Sequence, residues 1–272
     1  MLGIEAEVSH PSHSGSYAVD DYGRPMSLPG MSGVVANVRV GDRVFPWAAD
    51  HLEPGVSAGC RDRGRHQALQ FLTGLGNRVR VVSGAAAGAG GVAVGKHAFV
   101  LVDFPQEALD QLAPGDRLLV RACAQGLALL DFPDIALRSC GPELLRALPL
   151  GGESRLRVEV ANEIPAYLMG AGLGMSSEWA NCDVMLTRAE TVEQLGFGEL
   201  RLGDVVAMHD QDHRFGRGFR RGFCAIGVVA HGGHGAIPGH GVGVVTIMSG
   251  PADRFELVRV ERANIRDYLE PS

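Results

Sequence analysis

The chain reads as a mainly β protein, a β-barrel or layered β-sandwich with a few short helices. Three observations carry that reading. Its 38 glycines and 14 prolines are scattered along 272 residues instead of gathering in one linker, which suits many short strands joined by tight turns. A Gly-Asp turn followed by an apolar run recurs in VRVGDRVFPW (38–47), LAPGDRLLVRA (112–122) and LRLGDVVAMH (200–209). Glycine supplies the positive φ a tight turn needs, and aspartate bonds the local backbone. Finally, apolar stretches are short and rich in β-branched residues, as in NRVRVVSGAAAGAGGVAVGKHAFVLVDFP (77–105), which reads as strand, glycine-alanine turn, strand and strand.

Helical signals appear in four places only. DRGRHQALQFLTGLG (62–76) sets Ala68, Leu69, Leu72 and Leu75 near helical periodicity and ends at Gly76. The stretches 105–115, 141–152 and 187–200 have similar length and capping, each about three turns, enough to plug a barrel end or cover a sheet. The passage from 141–152 through PLGGES into the strand-like SRLRVEVANEIPAYLMG places a division near residue 152, giving β-rich domains at 1–152 and 153–272 that can also form one compact unit.

Composition excludes several function classes. Hydrophobic residues make up 46% and charged residues 21%, with no run of eighteen apolar residues, so a membrane partner is not expected. A net charge of −6 argues against nucleic acid, which requires a broad basic face. MLGIEAEVSHPSHSG lacks the basic start and apolar centre of a signal peptide, so the expected location is cytoplasmic. The five cysteines are widely spread and form no CxxC pair, which fits reduced thiols rather than a zinc ribbon. GGVAVGKH (90–97) carries a Gly-Lys pair, but His97 stands where a phosphate loop needs Ser or Thr and a strand follows, so no nucleotide cofactor is expected.

Chemistry-bearing residues gather in three places. FPWAADHLEPGVS holds Asp50, His51 and Glu53 where Pro54-Gly55 turns the chain, with Trp47 as core or pocket wall. His97 opens an apolar strand beside Lys96, the one lysine among 25 basic residues. VVAMHDQDHRFGRGFRRGFCAIGVVAHGGHGAIPGHGVGVVT (205–246) contains five of the ten histidines. If its first part is a regular strand, Asp210 and Asp212 share one face, able to reach a common cation or to split acid and base roles. Arg217 and Arg221 would share a face as a carboxylate or phosphate clamp. Gly239 and Gly241 leave His240 open to close approach on both sides, and His231 and His234 have the spacing of a loop ligand pair.

AADHLEPGVS, GKHAFVLVDFP, AQGLALLDFPDIAL, YLMGAGLG, GDVVAMHDQDHRFGRGFRRGFCAIGVVAHG and PGHGVGVVTIMSG together resemble the bacterial and archaeal proteins of domain of unknown function family 4438, over about residues 5 to 250. The resemblance implies a mostly β fold with barrel and layered elements. It also implies shared polar positions at Asp50, His51, Glu53, Lys96, His97, Asp210, Asp212, Arg217 and His240. The chain departs from the family pattern at His209, His213, His234 and Cys182. At the level of fold, the β-rich layout is also similar to the acetamidase and formamidase proteins.

These residues lead to an expectation of an enzyme, a homo-oligomer acting on a small molecule. Asp50, His51, His97 and Asp212, with His240 as a further ligand or catalytic group, would hold a divalent ion (zinc, manganese, iron or calcium) that activates water toward an amide or related carbonyl. Glu53 or Asp210 would be the general base, and Trp47, Lys96, Arg217 and Arg221 would contact substrate. The alternatives are a metal-independent acid/base lyase, isomerase or cyclase, and a non-catalytic binding or assembly protein.

Overall fold

The computed structural model of the chain describes residues 1–12, 18–20, 22–26, 32–45, 51–186, 188–233 and 239–271. The first half contributes β1 (Leu2–Val8), β2 (Ala18–Val19), β3 (Pro25–Met26), β4 (Val34–Val35), β5 (Gly55–Gly59), α1 (Arg63–Leu72), β6 (Arg78–Val81), β7 (Gly90–Lys96), β8 (Val100–Asp103), α2 (Gln106–Leu109), β9 (Arg117–Ala122), β10 (Ala136–Leu137) and α3 (Pro142–Ala147). The second half supplies β11 (Leu156–Val160), β12 (Asn162–Ile164), β13 (Cys182–Val184), α4 (Ala189–Gln194), β14 (Val205–Asp212), β15 (Gly218–His231), β16 (Val242–Pro251) and β17 (Phe255–Arg259). The expected fold class is the one observed, and α1 to α4 fall inside the four stretches with helical signals, α2 to α4 being shorter than the three turns expected.

Strands β1, β9, β6, β7, β8 and β5 pair in that order, and β5 returns to β1, closing a six-stranded barrel to which β4 adds an edge. Ala6, Val8, Val56, Ala58, Val79, Val81, Val100, Val102, Leu118 and Val120 fill it, with Leu69 of α1 packed against them. A second sheet runs β10, β16, β15, β14, β12, and β13 also pairs with β16. β7 and β8 read as continuous apolar runs because both of their faces are covered. Ala93, Val100 and Val102 point into the barrel, whereas Val92, Val94 and Leu101 pack outward on Ala207, Ile226, Val228 and Val245 of the second sheet. The opposite face of that sheet packs Val206, Met208, Val229 and Val244 against Leu168, Val184 and Leu186. Burying each such side chain favours the fold by roughly 1.5–3 kcal/mol, so the two halves share a continuous layered core.

The Gly-Asp unit is one local structure used three times. Gly41, Gly115 and Gly203 all have positive φ, at 97°, 91° and 89°. Each following aspartate accepts a backbone N–H three residues upstream: Arg39 to Asp42 at 2.8 Å, Ala113 to Asp116 at 2.9 Å and Arg201 to Asp204 at 2.8 Å. The second and third units lead into β9 and β14 as the pattern requires. The first departs from it: residues 38–45 form turns and the isolated bridge Arg43–Arg201, with no strand. No described helix is long and apolar enough to cross a membrane.

Asp116→Ala removes one exposed turn bond and is expected to cost about 1 kcal/mol. Gly203→Ala is expected to cost more, because its Cβ would crowd Val40 and stand 2.8 Å from Asn264 Oδ1 on a left-handed backbone. Urea unfolding midpoints of the two variants check the order, and equal midpoints would contradict the turn assignment.

Candidate functional site

Three backbone junctions bring distant residues together. Leu52 bridges Gly232, whose N–H donates to the Leu52 carbonyl at 3.0 Å, so His51 on the approach to β5 lies beside His231 at the end of β15. β7 lies close against β15, since a Cβ on Gly95 would stand only 2.9 Å from that of Ala230, and this brings His97, just past β7, against His231. On β16, Gly243 is flanked by Asp183 of β13 on one side and His231 on the other. A side chain at 243 would collide with the His231 ring and the Asn181 amide, so the glycine makes the space in which these groups meet.

The result is a cluster of four imidazoles around one carboxylate. The His51 ring stacks on His97 at 4.6 Å and 10°, and lies 5.1 Å from the His231 ring and 5.3 Å from that of His240. Three donor atoms converge: His51 Nε2 and His240 Nδ1 are 3.3 Å apart, and Asp183 Oδ2 lies 3.8 Å and 3.1 Å from them. A tetrahedral ion with bonds of about 2.1 Å requires donor separations of about 3.4 Å, so the triangle has the size of an ion site. Asp183 and His51 side chains are 5% and 12% exposed, and His240 at 37% forms the accessible side. His51 takes left-handed φ, 50°, a conformation that costs a non-glycine residue about 1 kcal/mol or more and that its surroundings must hold.

A second layer fixes these groups. Glu53, fully buried, accepts from His97 Nδ1 at 2.8 Å and from the Ser57 hydroxyl, which assigns the proton to Nδ1 and leaves the His97 Nε2 lone pair uncommitted. His231 Nδ1 donates to the Gly232 carbonyl at 3.2 Å, so its Nε2 accepts from Asn181 Nδ2 at 3.0 Å. The same Asn181 amide donates to Asp183 Oδ1 at 2.7 Å, so the carboxylate's other oxygen faces His51 and His240. Burial alone would raise the Asp183 carboxyl, but the hydrogen bond to His240 and the nearby His51 and His231 imidazoles outweigh it and hold the group well below the ordinary carboxylate range. Burial, and then the neighbouring His97, push His231 well below the usual imidazole range, so it is neutral.

The structure gathers His51, Glu53, His97 and His240 among the residues marked by the sequence, and places others elsewhere. Asp50, Trp47 and His234 lie outside the described residues. Asp212, expected as an ion ligand, spends both oxygens on Arg214 (2.9 and 3.0 Å) and Arg220 (3.0 Å). Burial opposes its ionisation, yet the arginines lower it to about 2. Asp210, expected as a base, stands alone between the pairs His209–Cys224 and Gln211–Phe219, opposite a β-bulge in which β15 carries residues 220–223; its φ is 54° and it accepts from Gly222 N at 2.8 Å. The bulge resets the strand's alternation, and Asp210 and Asp212 each answer to a separate partner.

Arg217 and Lys96, expected at substrate, are instead buried. Arg217 donates to the carbonyls of Gly172 and Trp179, and Lys96 to the Gln70 carbonyl, the Ser139 hydroxyl and the Glu178 carbonyl. Burial pulls the Lys96 amine down to about 7. Arg221 is exposed on the β14–β15 hairpin arm. His209 hydrogen-bonds Glu163 at 2.6 Å, with both side chains partly exposed. His213 is a neutral core histidine on Thr246, lowered by burial to about 3.

Sequence reasoning passed over Asp183 and Asn181 and left His231 as an unsupported pairing with His234. The available signal was NCDV, a carboxylate inside an otherwise apolar three-residue strand. Its neighbour Cys182 points the other way, into the core, where burial pushes its thiol up to about 12 and removes it from ligand or nucleophile chemistry.

Comparison with known proteins gives a family without an activity. Residues 17–146 match "Domain of unknown function (DUF4438), N-terminal" and residues 148–269 match "Domain of unknown function (DUF4438), C-terminal". A solved structure described as the crystal structure of TM1086 is similar at 39% identity and TM-score 0.94, covering 99% of this chain and 96% of that one. No curated protein matches the sequence. The cluster draws His51, Glu53 and His97 from the first matched region and Asn181, Asp183, His231 and His240 from the second, and with both regions present the chain belongs to the DUF4438 family.

Proposed function

We propose that the chain is a metal-dependent enzyme, with His51 Nε2, His240 Nδ1 and Asp183 Oδ2 as the ligands, and that it hydrolyses an amide or related carbonyl in a small molecule. The observation that carries this reading is the donor triangle of 3.1, 3.3 and 3.8 Å. Protons satisfy such a triangle poorly: if both imidazoles donate to Asp183, their own N–H groups face each other. A cation at the centre satisfies three lone pairs together. Two imidazole nitrogens and one carboxylate suit zinc, manganese or iron(II), whereas calcium prefers oxygen ligands only.

Bound there, such an ion supplies Lewis-acid polarisation of a carbonyl and acidifies water. The protein's own part follows from the second layer. Asn181 turns Asp183 so that Oδ2 faces the two imidazoles, and Glu53 holds His97 with Nε2 ready to take a proton from attacking water. The Glu53 carboxylate then stabilises the imidazolium, and the leaving group recovers the proton from the same nitrogen. This role replaces Glu53 and Asp210 as direct bases, since Glu53 sits behind His97. The Glu53–His97 pair would also serve as an acid/base couple without an ion, which supports lyase or isomerase chemistry as the second reading.

Purified protein, analysed by inductively coupled plasma mass spectrometry, is expected to carry about one zinc, manganese or iron per chain, lost in His51→Ala, Asp183→Ala and His240→Ala. Absence of stoichiometric binding even after incubation with each of these ions would remove the basis of the hydrolase reading. His97→Gln is expected to keep the ion and lower kcat by about 10²–10⁴-fold on an amide substrate identified by screening. Unchanged kcat would rule His97 out as the base. Gly243→Ala is expected to weaken ion binding by displacing His231 and Asn181, and native-like affinity in isothermal titration would contradict the close approach described here.

A further inference from the structure

Lys96 and Arg217 are the two buried cationic side chains among the described residues, and neither faces a carboxylate within ion-pair distance. A buried charge is costly unless its hydrogen bonds are well used; Arg217 Nε has no partner, and the bonds that the two groups do make go to the same loop or to the elements it rests on. Lys96 Nζ reaches the carbonyl of Gln70 in α1 at 2.6 Å, the Ser139 hydroxyl at 2.9 Å and the carbonyl of Glu178 at 3.1 Å. Arg217 holds the Gly172 and Trp179 carbonyls by its guanidinium, and its backbone exchanges hydrogen bonds with Gly174 and Met175 at 2.8 Å. Gln70 is the third member: its Nε2 donates to the His97 carbonyl at 3.0 Å and its Oε1 accepts from Ala180 N at 3.3 Å.

The loop so held, residues 170–183, closes on the cluster. Asp183 N donates to the Ala171 carbonyl and Gly170 N to the Asp183 carbonyl, both at 2.8 Å, while Ala171 N donates to the carbonyl of Gly239, next to His240, at 2.7 Å. Ala180 is left-handed at φ 53°, a backbone held by its neighbours immediately before Asn181.

We propose that Gln70, Lys96 and Arg217 form a buried latch on the 170–183 loop: Gln70 and Lys96 fasten it to α1 and β7, Arg217 fastens it to the base of β15, and together they position Asp183 and His240 of the second half against His51 and His97 of the first. The latch residues touch none of the reacting atoms; they are positioning residues, and the proposal rests on the ion-site reading of that cluster. Loss of comparable outer-shell contacts weakens metal binding about 10–100-fold.

The test uses Gln70→Leu, Gln70→Glu and Arg217→Met, with Asp116→Ala as a comparator that lowers stability far from the site. Cobalt(II) binding is followed by its visible absorption, and amide exchange of the full chain by mass spectrometry. Gln70→Leu is expected to weaken cobalt binding 10–100-fold and alter the ligand-field bands. It should also speed exchange across 170–183, with Gln70→Glu intermediate and Asp116→Ala near the parent in both. Parent-like affinity, bands and exchange in the folded latch variants would overturn the latch, as would an equal loss of affinity in Asp116→Ala. If the parent itself binds no cobalt, the ion-site reading fails, and the exchange comparison alone decides the latch. Should Gln70→Leu not fold, Gln70→Glu carries the same measurements.

Discussion

Everything at the site depends on one close approach, that of His231 and Asn181 over the bare backbone of Gly243. Asp183 and His231 flank the same glycine on neighbouring strands, and Asn181 bridges their side chains. A Cβ on residue 243 would push this bridge outward, and with it the carboxylate that His51 and His240 address. The flanking sheet is rigid, with Val242, Val244 and Val245 fully buried, so the displacement would fall on the site rather than on the strand.

The electrostatics follow from that geometry. A buried carboxylate surrounded only by apolar groups would take up a proton, but Asp183 is held ionised by imidazoles and an amide. His231, with both nitrogens engaged and no access to water, is fixed as a neutral partner. His97 differs because Glu53 binds one of its nitrogens and leaves the other for chemistry. Under the proposed ion-site reading, the four histidines of the cluster divide into ligands, a structural neighbour and an acid/base group by the partners each one meets.

Much of the fold could be read from the sequence because its signals are local. Glycine with positive φ and aspartate bonded three residues back mark a turn whatever lies around them, and two of the three Gly-Asp turns lead into strands. Hydrophobic periodicity located α1, and capping signals located α2 to α4, each of which runs to six residues or fewer and not to three turns. The site was legible where a polar residue stood beside a turn, as with His51, Glu53, His97 and His240. It was not legible at Asp183: Asn181 is two residues away, but its other partners lie more than forty residues off in sequence, with His231 at the end of β15, His240 just before β16 and His51 in the first half. Asp210 and Asp212 misled for the opposite reason: strict alternation would have joined them, but Asp210 is left-handed where the β14–β15 register shifts, and each has a partner of its own. Lys96 and Arg217 looked like substrate contacts because sequence carries no sign that a charged side chain is buried and bound to carbonyls.

The central claim is that His51, Asp183 and His240 are ligands of one ion, and the most direct test is anomalous diffraction from crystals of zinc-loaded protein, recorded on both sides of the zinc absorption edge. The account predicts a single strong peak per chain within about 2.0–2.2 Å of His51 Nε2, His240 Nδ1 and Asp183 Oδ2, with His97 and Glu53 alongside. A peak at other residues, or no peak at this triangle in zinc-saturated crystals, would contradict it.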